Sequence, residues 1–84
     1  MYYVYVLQSQ KDHFLYVGCT NNIESRVCRH HAGLVPATKP RRPLKLIFYE
    51  AYLTKGDAIR RERYFKTSKG KTTLKIMLKD YFSL

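Results

Sequence analysis

Apolar and polar positions alternate along the first twenty residues of the chain. Residues 2–7 alternate valine with tyrosine, and residues 14–20 resume the alternation after a polar run. A period of two residues is that of a β-strand, so the two segments predict a hairpin. Because the valines are more apolar than the tyrosines, we expect them to face the core, which places Tyr5 and Tyr16 together on the opposite face.

Helical spacing follows the hairpin. Ile23 and Val27 are four residues apart, which places both on one side of a helix. Asn21 and Glu24 resemble a capping box, a common start of such a helix. The pattern predicts a helix over residues 22–32.

A proline-rich segment separates this helix from a third strand. Residues 34–43 contain three prolines together with Lys39, Arg41 and Arg42. This composition predicts an exposed basic loop that contacts phosphate. Residues 44–53 are apolar enough to predict a strand at the centre of the sheet.

The remainder of the chain is predicted to be helical. Thr54 with Asp57 opens one helix, Lys69-Gly70 is predicted to end it, and an amphipathic segment around Leu74 follows. The predicted order is β-β-α-β-α-α, an α/β (α+β) fold with a small, mainly antiparallel three-stranded sheet flanked by helices. The 84 residues form one domain, because so short a chain cannot bury two cores.

Charge indicates the partner but not the activity. Sixteen Lys and Arg against six Asp and Glu give a net charge of +10, which favours a polyanion such as nucleic acid. No stretch approaches the ~20 apolar residues of a membrane span, and no secretory signal is recognisable, so we expect a cytoplasmic protein that does not bind membranes. Cys19 and Cys28 lack metal-ligand spacing and are predicted to be reduced packing residues.

Glu62 is an acidic residue on the apolar side of its predicted helix. It lies four residues after Ala58 and three before Phe65. Judged locally, a structural ion pair is the favoured interpretation, and a functional carboxylate is the alternative. The basic neighbours available for such a pair are Arg60, Arg61, Arg63 and Lys66.

Two further features suggest chemistry on nucleic acid. Arg26 and His30 are four residues apart and share a helix face, where arginine can clamp a phosphate and histidine can transfer a proton. By itself such a pair is equally typical of a solvent-facing basic helix. Gly18 lies on the tyrosine face of the second strand and removes a side chain where a ligand or backbone comes close.

In combination these residues resemble the GIY-YIG nuclease superfamily. Residues 3–5 (Tyr-Val-Tyr) and 16–18 (Tyr-Val-Gly) are similar to its two tripeptide motifs, with a hairpin-sized gap of ten residues between them. The following helix supplies Arg26 and His30, and the later helix supplies Glu62. The chain is most similar to the short stand-alone bacterial members and also resembles the N-terminal domain of the excision-repair nuclease.

The resemblance implies that residues 1–84 are a single endonuclease domain that hydrolyses phosphodiester bonds of DNA in repair, recombination or defence. Glu62 would hold one Mg²⁺ or Mn²⁺ as the only protein carboxylate on the ion, and Arg26 would neutralise the scissile phosphate. Tyr5 would help to activate the attacking water, and Tyr16 and His30 would orient it or pass protons.

The chain departs from the family pattern at two places. Tyr3 replaces the first-motif glycine, and no asparagine follows the metal glutamate within residues 70–74. Lysines near that region would contact phosphate instead, and the alternative function is a non-catalytic DNA- or RNA-binding module on the same fold. A homodimer or a separate partner is the expected source of sequence specificity. The predicted nucleic-acid contacts are Gly18, Lys39, Arg41, Arg42, Lys69 and Lys71.

Overall fold

The computed structural model describes all 84 residues of the chain. Three strands, β1 (Tyr2–Ser9), β2 (Leu15–Thr20) and β3 (Leu44–Tyr52), form one antiparallel sheet in the order β2-β1-β3. The helices are α1 (Ile23–His31), α2 (Lys55–Phe65), α3 (Ser68–Met77) and the short α4 (Lys79–Phe82). The predicted α+β fold is confirmed, and none of its helices has the length and apolarity to cross a membrane.

The central strand is β1, so the prediction that the third strand is central was wrong. Val4 and Val6 are buried on one face of β1, and Tyr5 and Leu7 are buried on the other, with at most 1% exposed. β3 lies at the edge of the sheet and exposes Tyr49. Its apolar residues pack against the cores on the two faces of the sheet, which explains an apolar strand that has only one neighbour.

One face of the sheet is covered by α2 and α3. Thr54 caps α2, as predicted, by accepting a hydrogen bond from the Asp57 N–H. A polar residue, Gln8, is also buried on this face and accepts a hydrogen bond from the Tyr81 hydroxyl, but the residues that form the hydrophobic core are apolar. They are Val4, Val6, Val17, Ala58, Phe65 and Leu74.

The boundary between α2 and α3 lies at Lys66 and Thr67, so the predicted break at Lys69-Gly70 was wrong. Thr67 caps α3 by accepting a hydrogen bond from the Gly70 N–H at 3.0 Å. Gly70 lies inside the first turn of α3, where a β-carbon would overlap the Tyr64 carbonyl. The glycine therefore permits a close contact between two helices and does not end one.

The opposite face of the sheet is covered by α1. Its buried and half-buried residues are Tyr5, Leu7, Leu44, Tyr16, Ile23, Val27 and Leu46. The N-cap is Asn22, whose side chain accepts from the Ser25 N–H at 3.1 Å, so the predicted cap at Asn21 was one residue early. Thr20 binds the Asn22 N–H, which sets the turn that brings Asn22 to the cap position.

Residues 32–43 connect α1 to β3 and contain a short 3-10 turn, Lys39–Arg41. The Ser9 hydroxyl donates to the Arg41 carbonyl at 2.7 Å, which ties this connection to the end of β1. Most of it is exposed, as predicted, but Thr38 is completely buried. This burial was not anticipated from the basic, proline-rich composition.

Both cysteines are free thiols. Cys19 is half-buried and packs against the core beneath α2. Cys28 is exposed on α1, so the prediction that both are packing residues was wrong for Cys28. The face of α1 that contacts the sheet is defined by Ile23 and Val27, and Cys28 lies beside that stripe.

Candidate active site

Tyr5 and Gly18 lie directly opposite each other on β1 and β2. A β-carbon on Gly18 would overlap the hydroxyl and ring of Tyr5, so the phenol lies on the bare backbone of the glycine. The close approach predicted at Gly18 therefore occurs, and the group that approaches is the Tyr5 side chain. Gly18 positions a neighbouring side chain and presents no free surface of its own.

His30 binds two hydroxyl groups, one with each ring nitrogen. Its Nε2 lies 2.8 Å from Tyr5 Oη, and its Nδ1 lies 2.7 Å from Thr38 Oγ1. All three side chains have at most 1% exposure. Partners on both nitrogens fix the orientation of the imidazole ring between β1 and the connection that follows α1.

Thr38 is the member of this hydrogen-bonded group that the sequence did not predict as a site residue. It lies eight residues after His30 and within the segment expected to be an exposed loop. A buried imidazole needs a partner for each nitrogen, and this requirement is the only signal that points to a hydroxyl near His30. It does not distinguish Thr38 from other hydroxyl residues of the chain.

Tyr16 completes an aromatic cluster with Tyr5 and His30. The Tyr16 ring centroid lies 5.0 Å from that of His30 and 6.3 Å from that of Tyr5. The predicted placement of the two tyrosines on one face is confirmed. Tyr16 is half-buried whereas Tyr5 is enclosed, so Tyr16 is the phenol of this pair that reaches solvent.

The environment of Tyr5 favours its neutral form. Burial raises the pKa of the Tyr5 phenol, and the neighbouring Tyr16 and Glu62 act in the same direction. Arg26 opposes them by lowering the pKa. Tyr5 is thus a neutral phenol at rest, with Arg26 and Glu62 both close enough to influence it.

His30 is also uncharged at neutral pH. Burial lowers the pKa of its imidazole to about 4, and the positive charge of Arg26 contributes in the same direction. A neutral imidazole donates from one nitrogen and accepts on the other. His30 can therefore connect two hydroxyl groups without a charge.

Arg26 lies four residues before His30 on α1 and is half-buried. It takes part in none of the four ion pairs of the structure. Its guanidinium makes no side-chain hydrogen bond, whereas several other arginines are held by carboxylates. Arg26 is therefore a cation next to Tyr5 and His30 with its donors free for an anionic ligand.

Glu62 is half-buried on α2 and pairs with Lys66 at 3.4 Å, one of the structural partners considered above. The Lys66 side chain is 55% exposed, whereas that of Glu62 is 19% exposed. An ion pair with so exposed a lysine contributes little stability and is readily exchanged. The contact therefore does not prevent the Glu62 carboxylate from binding another cation.

Two other basic neighbours of Glu62, Arg60 and Arg61, are bound to other carboxylates. Arg61 forms two hydrogen bonds to Glu50, at 2.9 and 3.2 Å, and Tyr52 donates to the same carboxylate at 2.7 Å. Arg60 pairs with Asp57 at 2.9 Å. The Glu50–Arg61 pair joins β3 to α2 and was not foreseen, because residues eleven positions apart on different elements leave no local pattern.

The predicted nucleic-acid contacts on the connection after α1 have different surroundings. Lys39 and Arg42 line a cavity of about 470 Å³ together with His31. Arg41 instead pairs with Asp12 at 2.7 Å and stacks on an aromatic ring of the hairpin. Lys39 and Arg42 are thus exposed cations beside a cavity, whereas Arg41 has a structural role.

The two predicted contacts on α3 lie on the other side of the sheet from α1. Lys71 lies 5.5 Å from the centre of the Phe14 ring, and Arg41 lies 3.7 Å from it. Lys69 is exposed near the N-terminus of α3, beside Thr72. Lys71 and Arg41 thus meet at the Phe14 ring, whereas Gly18 is enclosed by Tyr5.

Residues 1–75 match the family model of the GIY-YIG catalytic domain. A UPF0213 protein of Staphylococcus haemolyticus is 40% identical over 77 residues, covering 90% of this chain and 93% of the relative. A UPF0213 protein of Pediococcus pentosaceus is 38% identical over 84 residues, covering 99% of this chain and 87% of the relative. No solved structure matches the chain.

A third relative, a UPF0213 protein of Clostridium perfringens, is 43% identical over 67 residues, with 79% of this chain and 71% of the relative covered. The matched region of the family model contains both tyrosines, Arg26, His30 and Glu62. GIY-YIG domains form a nuclease superfamily whose members generally depend on a divalent metal. On its match to the domain model and its similarity to these small relatives, the chain belongs to the GIY-YIG family.

Proposed function

We propose that this protein is a metal-dependent endonuclease that hydrolyses phosphodiester bonds of DNA. The observation that carries the proposal is the hydrogen bond between Tyr5 and His30 at 2.8 Å, with Arg26 and Glu62 close enough to shift the Tyr5 pKa in opposite directions. A phenol and an imidazole in contact, with a cation and a carboxylate near enough to influence the phenol, suit the hydrolysis of a phosphate ester. The net charge of +10 supports a nucleic-acid substrate.

The residues present fit one divalent cation of the Mg²⁺ or Mn²⁺ kind. The Glu62 carboxylate makes no hydrogen bond, and its one ion pair is with an exposed lysine. No group of three or more His, Cys, Asp or Glu side chains is assembled for a metal. Mg²⁺ commonly takes one or two protein carboxylates and completes its shell with water and phosphate oxygens, which this donor set allows. Bound there, such an ion supplies charge stabilisation to the reacting phosphate.

The side chains on the face of the sheet covered by α1 have separate roles in this proposal. Arg26, with its guanidinium free, clamps the scissile phosphate and opposes the charge that develops in the transition state. Tyr16, the more exposed phenol, orients the attacking water. Tyr5 acts by hydrogen bonding, because burial keeps it neutral, and His30 holds its oxygen in place. Water attacks phosphorus and releases a proton to solvent, and the bond to the 3′ oxygen breaks. The 3′ oxygen takes up a proton from solvent, which leaves 5′-phosphate and 3′-hydroxyl ends.

The setting we propose is the cytoplasm, and the process is DNA repair, recombination or defence. A domain of 84 residues has little surface beyond the site, so a homodimer or a separate partner supplies specificity in this proposal. The second candidate function is a non-catalytic DNA- or RNA-binding module. The cavity beside Lys39 and Arg42 favours it, since exposed cations bind a phosphate backbone without any chemistry.

The experiment is incubation of the purified protein with labelled single-stranded, duplex, flap and RNA substrates in Mg²⁺, Mn²⁺ or EDTA. We expect metal-dependent cleavage of DNA that falls by at least about 100-fold in Glu62→Gln, the scale of losing a key electrostatic group. Glu24→Gln removes the same charge from an exposed position on α1 and is the matched control, with an expected rate equal to that of the parent.

Two outcomes contradict the proposal. A Glu62→Gln variant that cuts as fast as the parent removes the carboxylate from the mechanism. Binding that falls steeply with salt, is indifferent to metal and yields no product from any substrate supports the binding module instead.

A further inference from the structure

Thr38 is a fully buried polar residue that neither the hydrophobic core nor the proposed roles above account for. Its backbone is held at both ends, because its N–H donates to the Val35 carbonyl at 3.1 Å and its carbonyl accepts from the Arg41 N–H at 2.9 Å. Its hydroxyl has a single hydrogen-bond partner, His30 Nδ1 at 2.7 Å. The hydroxyl is thus presented to the imidazole from a rigid turn.

Two arrangements of protons are compatible with these distances. In the first, Tyr5 donates to His30 Nε2, and the Nδ1–H donates to Thr38. The Thr38 hydroxyl proton is then enclosed with no acceptor, a costly state for a buried donor. In the second, Thr38 donates to Nδ1, and the Nε2–H donates to Tyr5 Oη.

Each arrangement leaves one hydroxyl proton without an assigned acceptor, but on different residues. In the second arrangement the unassigned proton is that of Tyr5, whose ring lies beside the half-buried Tyr16. The acceptor on that side is the Tyr16 hydroxyl, whose hydrogen bonding raises the pKa of Tyr5. The Thr38 hydroxyl has no acceptor within hydrogen-bond distance other than His30 Nδ1. The second arrangement is therefore favoured, because it gives this buried hydroxyl proton an acceptor.

We propose that Thr38 is a positioning residue, whose hydroxyl donates to His30 Nδ1 and holds the imidazole as the Nε2–H tautomer. The ring then donates to Tyr5 Oη and turns the phenol proton towards Tyr16. The consequence for catalysis rests on the proposed nuclease function. A hydrogen bond donated to the phenol oxygen fixes the direction of the Tyr5 hydroxyl proton, and so the hydrogen bond that Tyr5 makes with Tyr16, the phenol that orients the attacking water.

The primary test is the protonation of His30 in the full chain, labelled with ¹⁵N at histidine and observed by NMR at pH 7. We expect the Nε2–H tautomer in the parent and in Thr38→Ser, which keeps the hydroxyl. In Thr38→Val, which has the same shape without the hydroxyl, we expect the Nδ1 resonance to shift as its hydrogen bond is lost. The exposed His13 and His31 provide internal references.

Steady-state cleavage is the second readout. We expect kcat to fall by at least about tenfold in Thr38→Val with KM little changed, the scale seen when the group that orients a histidine is removed. Thr38→Ser should restore kcat to within about threefold of the parent. A purely structural role would not separate kcat from KM or be rescued in this way.

An Nδ1–H tautomer in the parent overturns the proposal, and so does a Thr38→Val variant with unchanged Nδ1 resonance and kcat. If Thr38→Val does not fold, the tautomer of the parent and of Thr38→Ser decides the proposal. If no variant cleaves any substrate, the proposed nuclease function fails while the tautomer is still measured. The two failures are therefore distinguishable.

Discussion

The two faces of the sheet are built from alternate residues of the same central strand and have opposite characters. Val4 and Val6 of β1 face α2 and α3 and belong to a hydrophobic core of six buried residues. Tyr5, between them, faces α1 and hydrogen bonds to the buried His30. The first face contributes stability mainly by apolar burial, whereas the second combines apolar burial with a hydrogen-bonded group of buried polar side chains.

The difference shows how one small sheet in a domain of 84 residues can support both a stabilising core and a site with polar groups. The apolar face stabilises the sheet, so the other face can bury hydroxyl and imidazole groups that need partners. Each of those groups has one, and no buried side-chain nitrogen or oxygen is left unpartnered. Truncation of the buried apolar residues beneath α2 and α3 should therefore change unfolding, whereas substitution of the polar groups around Tyr5 should change cleavage.

The largest effect is expected for Phe65→Ala on the apolar face. Phe65 is fully buried and packs edge-on against Phe48. Its truncation should lower the free energy of unfolding by about 3–5 kcal/mol, a large part of the stability of a small domain. Urea denaturation followed by circular dichroism measures this. Ile76→Ala, at a 70% exposed position on α3, is the control and should change stability by less than about 0.5 kcal/mol.

Gly70→Ala tests the close contact between α2 and α3. The added methyl would overlap the Tyr64 carbonyl, which belongs to the backbone and cannot turn aside. We expect a loss of about 3 kcal/mol, the upper part of the usual cost of overpacking. Gly56→Ala makes the same change in α2 where no atom lies within 4 Å, and should raise stability by about 0.5–1 kcal/mol. Equal effects of the two changes would remove the close contact as an explanation.

Tyr5→Phe tests the polar face while leaving the ring in place. Without the hydroxyl, His30 Nε2 loses its partner, so we expect cleavage to slow by about 100-fold, or about 2.7 kcal/mol in the barrier. The free energy of unfolding should fall by only about 1–2 kcal/mol. Tyr49→Phe is the matched control, because Tyr49 lies opposite Tyr5 on β3 but is exposed. A Tyr5→Phe variant with full activity would exclude the hydroxyl from the mechanism.

The smallest effect is a dependence of stability on pH. Burial lowers the pKa of His30 from 6.5 to about 4, so between these values the unfolded chain binds a proton at this site that the folded chain does not. This part of the stability is complete above pH 6.5 and declines as pH falls towards 4. Unfolding at pH 5 should require roughly 2 kcal/mol less than at pH 7.

His30→Gln is the control for the pH dependence, since it removes the titrating group. The carboxylates with lowered pKa values, Asp12, Asp57 and Glu50, contribute only at lower pH, because their ordinary values are 4.5 or below. The slope between pH 7 and 5 should therefore disappear in His30→Gln. A slope that persists would assign the dependence to other groups.

The amino-acid sequence by itself determined the elements and the sides they present. Alternation over the first twenty residues predicts the hairpin and the shared face of Tyr5 and Tyr16, and both are found. Helical spacing predicts α1 to within one residue at each end, and the pair of Thr54 with Asp57 predicts the start of α2. These features depend on residues at most four positions apart, whose geometry is set by the backbone.

Only the tertiary structure decided which partners meet. The central position of β1, the Glu50–Arg61 pair and the contact of Gly70 with Tyr64 each depend on packing between separate elements. The same holds for Thr38, which is buried against His30 although the basic, proline-rich composition of its segment predicts an exposed loop. Local periodicity carries no information about contacts between distant residues, because those contacts are selected by the burial of whole faces and by the partners that buried polar groups require.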